Sequence, residues 1–134
     1  MKATHWMLVI FGCMISLDVL SQDSQDVSPA TPGKMVYEQN CLACHQADGS
    51  GVPNLAPPLI GGVFVAGDKD RLIRIVLDGM QGVEIKGEHY ANPMPAFDYL
   101  SDLQIADVLT YVRSNFKNKG DAVSDKEVAA ARKK

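Results

Sequence analysis

The 134-residue chain carries 13 Lys and Arg against 16 Asp and Glu, a formal charge of −3. That acidic balance and a 46% hydrophobic composition exclude a binder of nucleic-acid phosphates and a wholly disordered chain. The length admits one domain rather than two, and three cysteines are too few for a disulfide-dense scaffold.

Residues 1–21 read as an export signal: Lys2 supplies a positive charge, Met7 to Ile15 is almost wholly apolar, and Val19-Leu20-Ser21 offers a cleavage point before Gln22. The apolar run is too short to cross a bilayer as a stable helix. The alternatives are a buried amino-terminal helix and a lipoprotein-type signal ending at Cys13. Cleavage after Ser21 leaves about 113 residues, and removes Trp6 and Cys13. Residues 22–31, rich in Ser, Asp, Gln and Pro, read as a flexible linker.

The spacing predicts a first helix with Thr31 as cap and Pro32 at the first helical position, carrying Met35, Val36 and Tyr37 and ending near Cys41. Residues 46–67 hold five glycines and three prolines and read as a long loop that wraps something. A second helix fits Asp68–Asp78, with Leu72, Ile73, Ile75 and Val76 as its apolar face and Gly79 as its stop. Lys69, Arg71 and Arg74 give it a solvated cationic face. Val83–Tyr90 suits a small hairpin turning at Lys86-Gly87. A third helix follows the capping box of Ser101 and Gln104, with Ile105, Val108, Leu109, Val112 and Phe116 on one face. A short last helix starts at Ser124, with Glu127 three residues on.

The residues that carry chemistry are Cys41-Leu42-Ala43-Cys44-His45. Cys-x-x-Cys-His is a haem attachment pattern. Two thiols one helical turn apart can add to two vinyl groups on one edge of a haem, and the imidazole that follows can bind the iron. A redox dithiol would need a preceding strand, which the sequence does not offer, and a zinc site would need more ligands than His89 and carboxylates. For a second axial ligand the chain offers Met80, Met94 and His89. Pro93 and Pro95 hold Met94 in a stiff extended loop, suited to keeping a weak thioether in place. Met80 beside Gly79 reads as a core residue, and His89 as a solvated one.

Gly33-x-x-x-Tyr37-x-x-x-Cys41-x-x-Cys44-His45, Pro57-Pro58-Leu59, Met94-Pro95-Ala96-Phe97 and Leu109-Thr110-Tyr111-Val112 together resemble the small monohaem bacterial cytochromes c of class I, over about residues 33–117. The resemblance implies an all-α cytochrome c fold: three main helices and loops around one covalent haem c, with room for a small β-hairpin. It divides the chain into a signal (1–21), a linker (22–31), a cytochrome domain (32–120) and a helical tail (121–134). It implies haem joined through Cys41 and Cys44 and iron held by His45 and Met94. The Pro57 carbonyl would accept the ring N–H of His45, Leu59 and Phe97 would be haem wall, and Gly33 would let the first helix cross the last near Tyr111. The tryptophan that meets a haem propionate in the mitochondrial form has no counterpart, and its basic docking face is missing.

The likeness is strongest to single-haem cytochromes and cytochrome subunits that accompany periplasmic dehydrogenases and oxidases. It implies a periplasmic, monomeric electron carrier rather than an enzyme. Its partners would be redox proteins (a dehydrogenase, a bc-type complex or a terminal oxidase) docking at the haem edge near the thioether bonds. Membrane association would come only through those partners or a lipid anchor. The rival readings are a subunit of a dehydrogenase or reductase complex, a sensor or catalyst with an open sixth position, and an exported non-haem module.

Overall fold

The structure, a computed structural model, describes residues 31–134. The export signal at 1–21 and residues 22–30 of the linker lie outside the described residues. Six helices and one hairpin follow in order: α1 (Pro32–Asn40), α2 (Leu42–His45), α3 (Val63–Ala66), α4 (Lys69–Asp78), β1 (Val83–Ile85), β2 (Glu88–Tyr90), α5 (Asp102–Ser114) and α6 (Asp125–Arg132).

Local chemistry sets the boundaries. The Thr31 hydroxyl accepts the Lys34 N–H at 3.4 Å with Pro32 opening α1, and the Asp68 carboxylate accepts the Arg71 N–H at 2.8 Å to start α4. Ser101 and Gln104 form a reciprocal capping box on α5, as Ser124 and Glu127 do on α6. At the hairpin tip Lys86 and Gly87 both have positive φ, 53° and 83°, the backbone of a tight two-residue turn between β1 and β2.

The core lies where α1, α4, α5 and α6 meet, and Tyr37, Ile73, Ile105 and Val128 are its most deeply buried large side chains. α1 crosses α5 at Gly33, where an added Cβ would collide with the Asp107 carbonyl and lie 2.8 Å from the Tyr111 Cβ. Only a residue without a side chain permits that approach.

Two expectations need correction. Phe116 is not on α5, which stops at Ser114; its φ of 52° turns the chain, and its ring packs on Tyr37 and Tyr111. The 46–67 loop holds one turn of helix, α3. The 121–134 tail carries the helix expected after Ser124, and it packs on α4 and α5 with Val128 and Ala131 fully buried. Met80 lies outside the core cluster and lines a cleft instead.

Candidate functional site

An apolar cleft opens between α1–α2, the 51–66 segment, the face of α4, the hairpin and the loop around Met94. It has two confluent lobes of about 840 and 640 Å³, counting their mouths open to solvent. Cys41, His45, Pro57, Met80, Met94 and Phe97 line both lobes.

Cys41 ends α1, and α2 carries Cys44 and His45 through one further turn. Cys41 is half-buried and Cys44 exposed. Burial, reinforced by the neighbouring Cys44, pushes the Cys41 thiol up to about 11, so it stands protonated at neutral pH. Tyr37 fixes the end of this segment: its hydroxyl donates to the Gln46 carbonyl at 2.7 Å.

His45 Nδ1 lies 3.0 Å from the Pro57 carbonyl oxygen. A carbonyl only accepts, so Nδ1 carries the proton and Nε2 keeps its lone pair. Burial lowers the imidazole below its ordinary value, partly opposed by the Pro57 hydrogen bond, so the ring stays neutral and able to ligate.

The Met94 loop is held by more than its prolines. Met80 and Met94 exchange backbone hydrogen bonds, Met80 N–H to Met94 O at 3.0 Å and Met94 N–H to Met80 O at 2.9 Å. The Phe97 N–H donates to the Val76 carbonyl at 2.9 Å, tying the loop to α4. Gly79 permits the junction: its φ is +77°, and a Cβ there would stand 2.5 Å from the Met94 carbonyl oxygen. Residues directly opposite in such a pair project to the same side, so both methionines face the cleft.

His89 pairs with Glu84 on the face of the hairpin opposite to that of Val83 and Tyr90, and it lines neither lobe. That removes it as a ligand candidate in this arrangement. Leu59 and Phe97 are partly buried on the cleft wall.

Sequence reasoning missed two residues that brace this wall. Asn118 is buried; its amide donates to Leu59 O and Val112 O, both at 3.0 Å, and its carbonyl accepts the Gly61 N–H at 2.9 Å. Arg113, also buried, donates to the carbonyls of Val65 at 2.6 Å, Gly67 at 3.2 Å and Asp121 at 2.8 Å. Both tie the 59–67 segment to the end of α5. Neither stands in a pattern that identifies such a role in advance, because their partners in the 59–67 segment are backbone groups more than forty residues away. Among the described residues no cluster of three or more His, Cys, Asp or Glu is placed to hold a bare metal ion.

The family model for cytochrome c matches residues 30–116, and the chain belongs to that family. Membership implies a covalently bound haem c, and the cleft fits it: two thiols stand at one end, a neutral imidazole with a free nitrogen lies within, and the walls are apolar. The chain is 39% identical over 95 residues to cytochrome c-552 of Thermus thermophilus, covering 67% of this chain and 70% of that one. It is 40% identical over 105 residues to the gluconate 2-dehydrogenase cytochrome c subunit of Pantoea cypripedii, covering 75% of this chain but only 24% of that subunit. A cbb3-type cytochrome c oxidase subunit of Azospirillum brasilense is 36% identical over 102 residues, of which 31% of its length is covered.

Proposed function

We propose that this chain is an exported monohaem cytochrome c that passes single electrons between redox proteins. The observation that carries the reading is the His45–Pro57 hydrogen bond, which leaves Nε2 free in a cleft that Met94 also lines. Cys41 and Cys44 are the residues that would tether the haem, through thioether bonds to its two vinyl groups. The bound haem supplies a one-electron ferric/ferrous couple. His45 holds the iron through Nε2, with Pro57 fixing the tautomer and raising ligand basicity. Met94 supplies a thioether, which favours the ferrous state, and the bridge to Met80 keeps it in place with little rearrangement on electron transfer. The apolar walls, Leu59 and Phe97 among them, exclude water from the iron.

The protein is a periplasmic monomer on this reading, with a dehydrogenase, a bc-type complex or a terminal oxidase as partner, met through a small transient interface. A second reading, a dedicated subunit of a dehydrogenase or reductase complex, is favoured by the likeness to such subunits. Copurification with a dehydrogenase or reductase separates the two.

The test is optical. Protein exported and matured with haem-attachment machinery is compared oxidised, reduced, and reduced with carbon monoxide, with acid–acetone extraction alongside. Haem that resists extraction, a low-spin reduced spectrum and no response to carbon monoxide are expected. Extractable haem sinks the attachment; a carbon monoxide shift sinks the Met94 ligation.

A further inference from the structure

The haem that this cleft accepts carries two carboxylates on the edge of the macrocycle opposite its vinyl groups. Once the thioether edge is placed, the carboxylate edge is placed too. Cys44 lines only one lobe, together with Leu55, Val83 and Tyr90; Gly62, Val63 and Ile85 line only the other. The hairpin therefore runs along the cleft, with Val83 and Tyr90 at the thioether end and its tip at the far end. Two residues of strand span about 7 Å, a large part of the way across the macrocycle.

Among the described residues no lysine or arginine lines either lobe. A carboxylate brought to the edge of an apolar cleft needs a cation or hydrogen-bond donors. Lys86 directly follows Ile85, and its ammonium donates to the Gly61 carbonyl at 3.4 Å, bridging the hairpin tip to the loop beside Gly62. It joins no ion pair among the described residues; neither do Arg71, Lys117, Lys119, Lys126 and Lys133, but of these only Lys86 has a side-chain hydrogen bond to the loop at Gly61. Arg113 is occupied by carbonyls. The rival is Arg71, stacked 4.3 Å over Phe64; it already has an aromatic partner, and no hydrogen bond carries its guanidinium to the cleft rim.

We propose that Lys86, at the hairpin tip, pairs a haem propionate. The inference rests on the haem reading above. Around Lys86 the hairpin carries Glu84, Glu88, His89 and Tyr90, α4 carries Lys69, Asp70, Arg71, Arg74 and Asp78, Lys117 and Lys119 flank the Asn118 that holds Gly61, and residues 57–66 carry no titratable side chain. Glu84 and His89 share the outer face, and Glu88 accepts the Asn54 N–H at 3.1 Å.

The experiment measures midpoint potential against pH for the haem-loaded wild type and for Lys86→Gln, Lys86→Arg and Arg71→Gln. An opposite charge nearby lowers a carboxyl pKa by about one to three units. Lys86→Gln is therefore expected to raise the proton affinity of the titrating carboxylate about tenfold or more, moving the inflection to higher pH. Above that inflection it lowers the potential, since an uncompensated negative charge favours ferric iron. Lys86→Arg keeps the wild-type profile and Arg71→Gln leaves it in place. A Lys86→Gln profile that superimposes on wild type overturns the assignment, as does a shift produced by Arg71→Gln instead. Unchanged haem content and low-spin spectra in the variants show that the iron site is intact. A wild type without attached haem overturns the cofactor reading itself, and this inference with it.

Discussion

At the scale of single residues the distal loop gives the sharpest discrimination, because two thioethers face one cleft. Met94→Ala is expected to open the reduced iron to carbon monoxide and to lower the midpoint potential, while Met80→Ala leaves the spectrum insensitive to carbon monoxide. The Met80–Met94 bridge is made by backbone groups, so truncating the Met80 side chain keeps it. The opposite result, a response only in Met80→Ala, would exchange their roles. Asn118 tests the proximal wall. Its replacement by Ala strands the Gly61 N–H and the Val112 carbonyl and leaves the Leu59 carbonyl only the Gly62 N–H. Leaving such groups unsatisfied costs about 1–3 kcal/mol, to be read as a lowered urea midpoint with unchanged slope. The Cys-x-x-Cys-His spacing and the proline-flanked methionine were legible because each function is written within a few consecutive residues. Asn118 was not, because its partners at 59 and 61 are more than fifty residues away and belong to the backbone.

At the scale of elements, helix caps were legible and helix contacts were not. Thr31, Ser101 and Ser124 cap as their sequences indicate, since a cap is a bond between neighbours, and Asp68, read as the first residue of its helix, is its cap instead. Phe116 kept the helical spacing of α5 yet leaves the helix, because packing on Tyr37 and Tyr111 outweighs continuation of the period. The α1–α5 crossing depends on Gly33, and Gly33→Ala is expected to cost about 1–3 kcal/mol by overpacking. A thermal melt of the haem-loaded protein reads that loss. The attachment of α6 depends on pH. Glu127 is held at about 2, first by the Ser124 backbone N–H, then by the Ser124 hydroxyl and Lys69, against an ordinary value of 4.5. A depressed carboxylate stabilises the folded form above its unfolded value and loses that contribution as pH falls through the folded one. Fraying of α6 is expected between pH 4.5 and about 2, with amide exchange at Val128 and Ala131 rising before that at Ile105. Equal protection of the three down to pH 2 would show that the cap does not matter.

At the scale of the whole molecule, the apolar surface is divided between a helical core and the walls of the cleft. Val65, Leu72, Val76, Leu100, Val108 and Leu109 belong to both. The cofactor is thus expected to complete the core rather than occupy a preformed hole. Replacing Cys41, Cys44 and His45 together by Ala should abolish haem binding and, with it, the cooperative heat-absorption peak seen by calorimetry. A sharp transition in that variant would mean that α1, α4, α5 and α6 suffice. The net charge is only −3, and ten charged side chains among the described residues are taken up in five ion pairs. Association with a partner is accordingly expected to depend weakly on salt.

The sequence by itself determined the cofactor class, the haem-attachment segment, the helix starts and the hairpin turn. Each of these depends on chemistry between residues a few positions apart: thiol and imidazole spacing, hydroxyl and amide caps, glycine at positive φ. Tertiary structure alone decided that Met80 stands beside Met94, that His89 points away from the cleft, that α6 is part of the core, and that Lys86 reaches the loop at Gly61. These depend on which distant segments the apolar surfaces bring together, and burial favours contact without specifying a partner. A one-residue change in hairpin register would send His89 inward, and no local pattern in residues 83–90 forbids it.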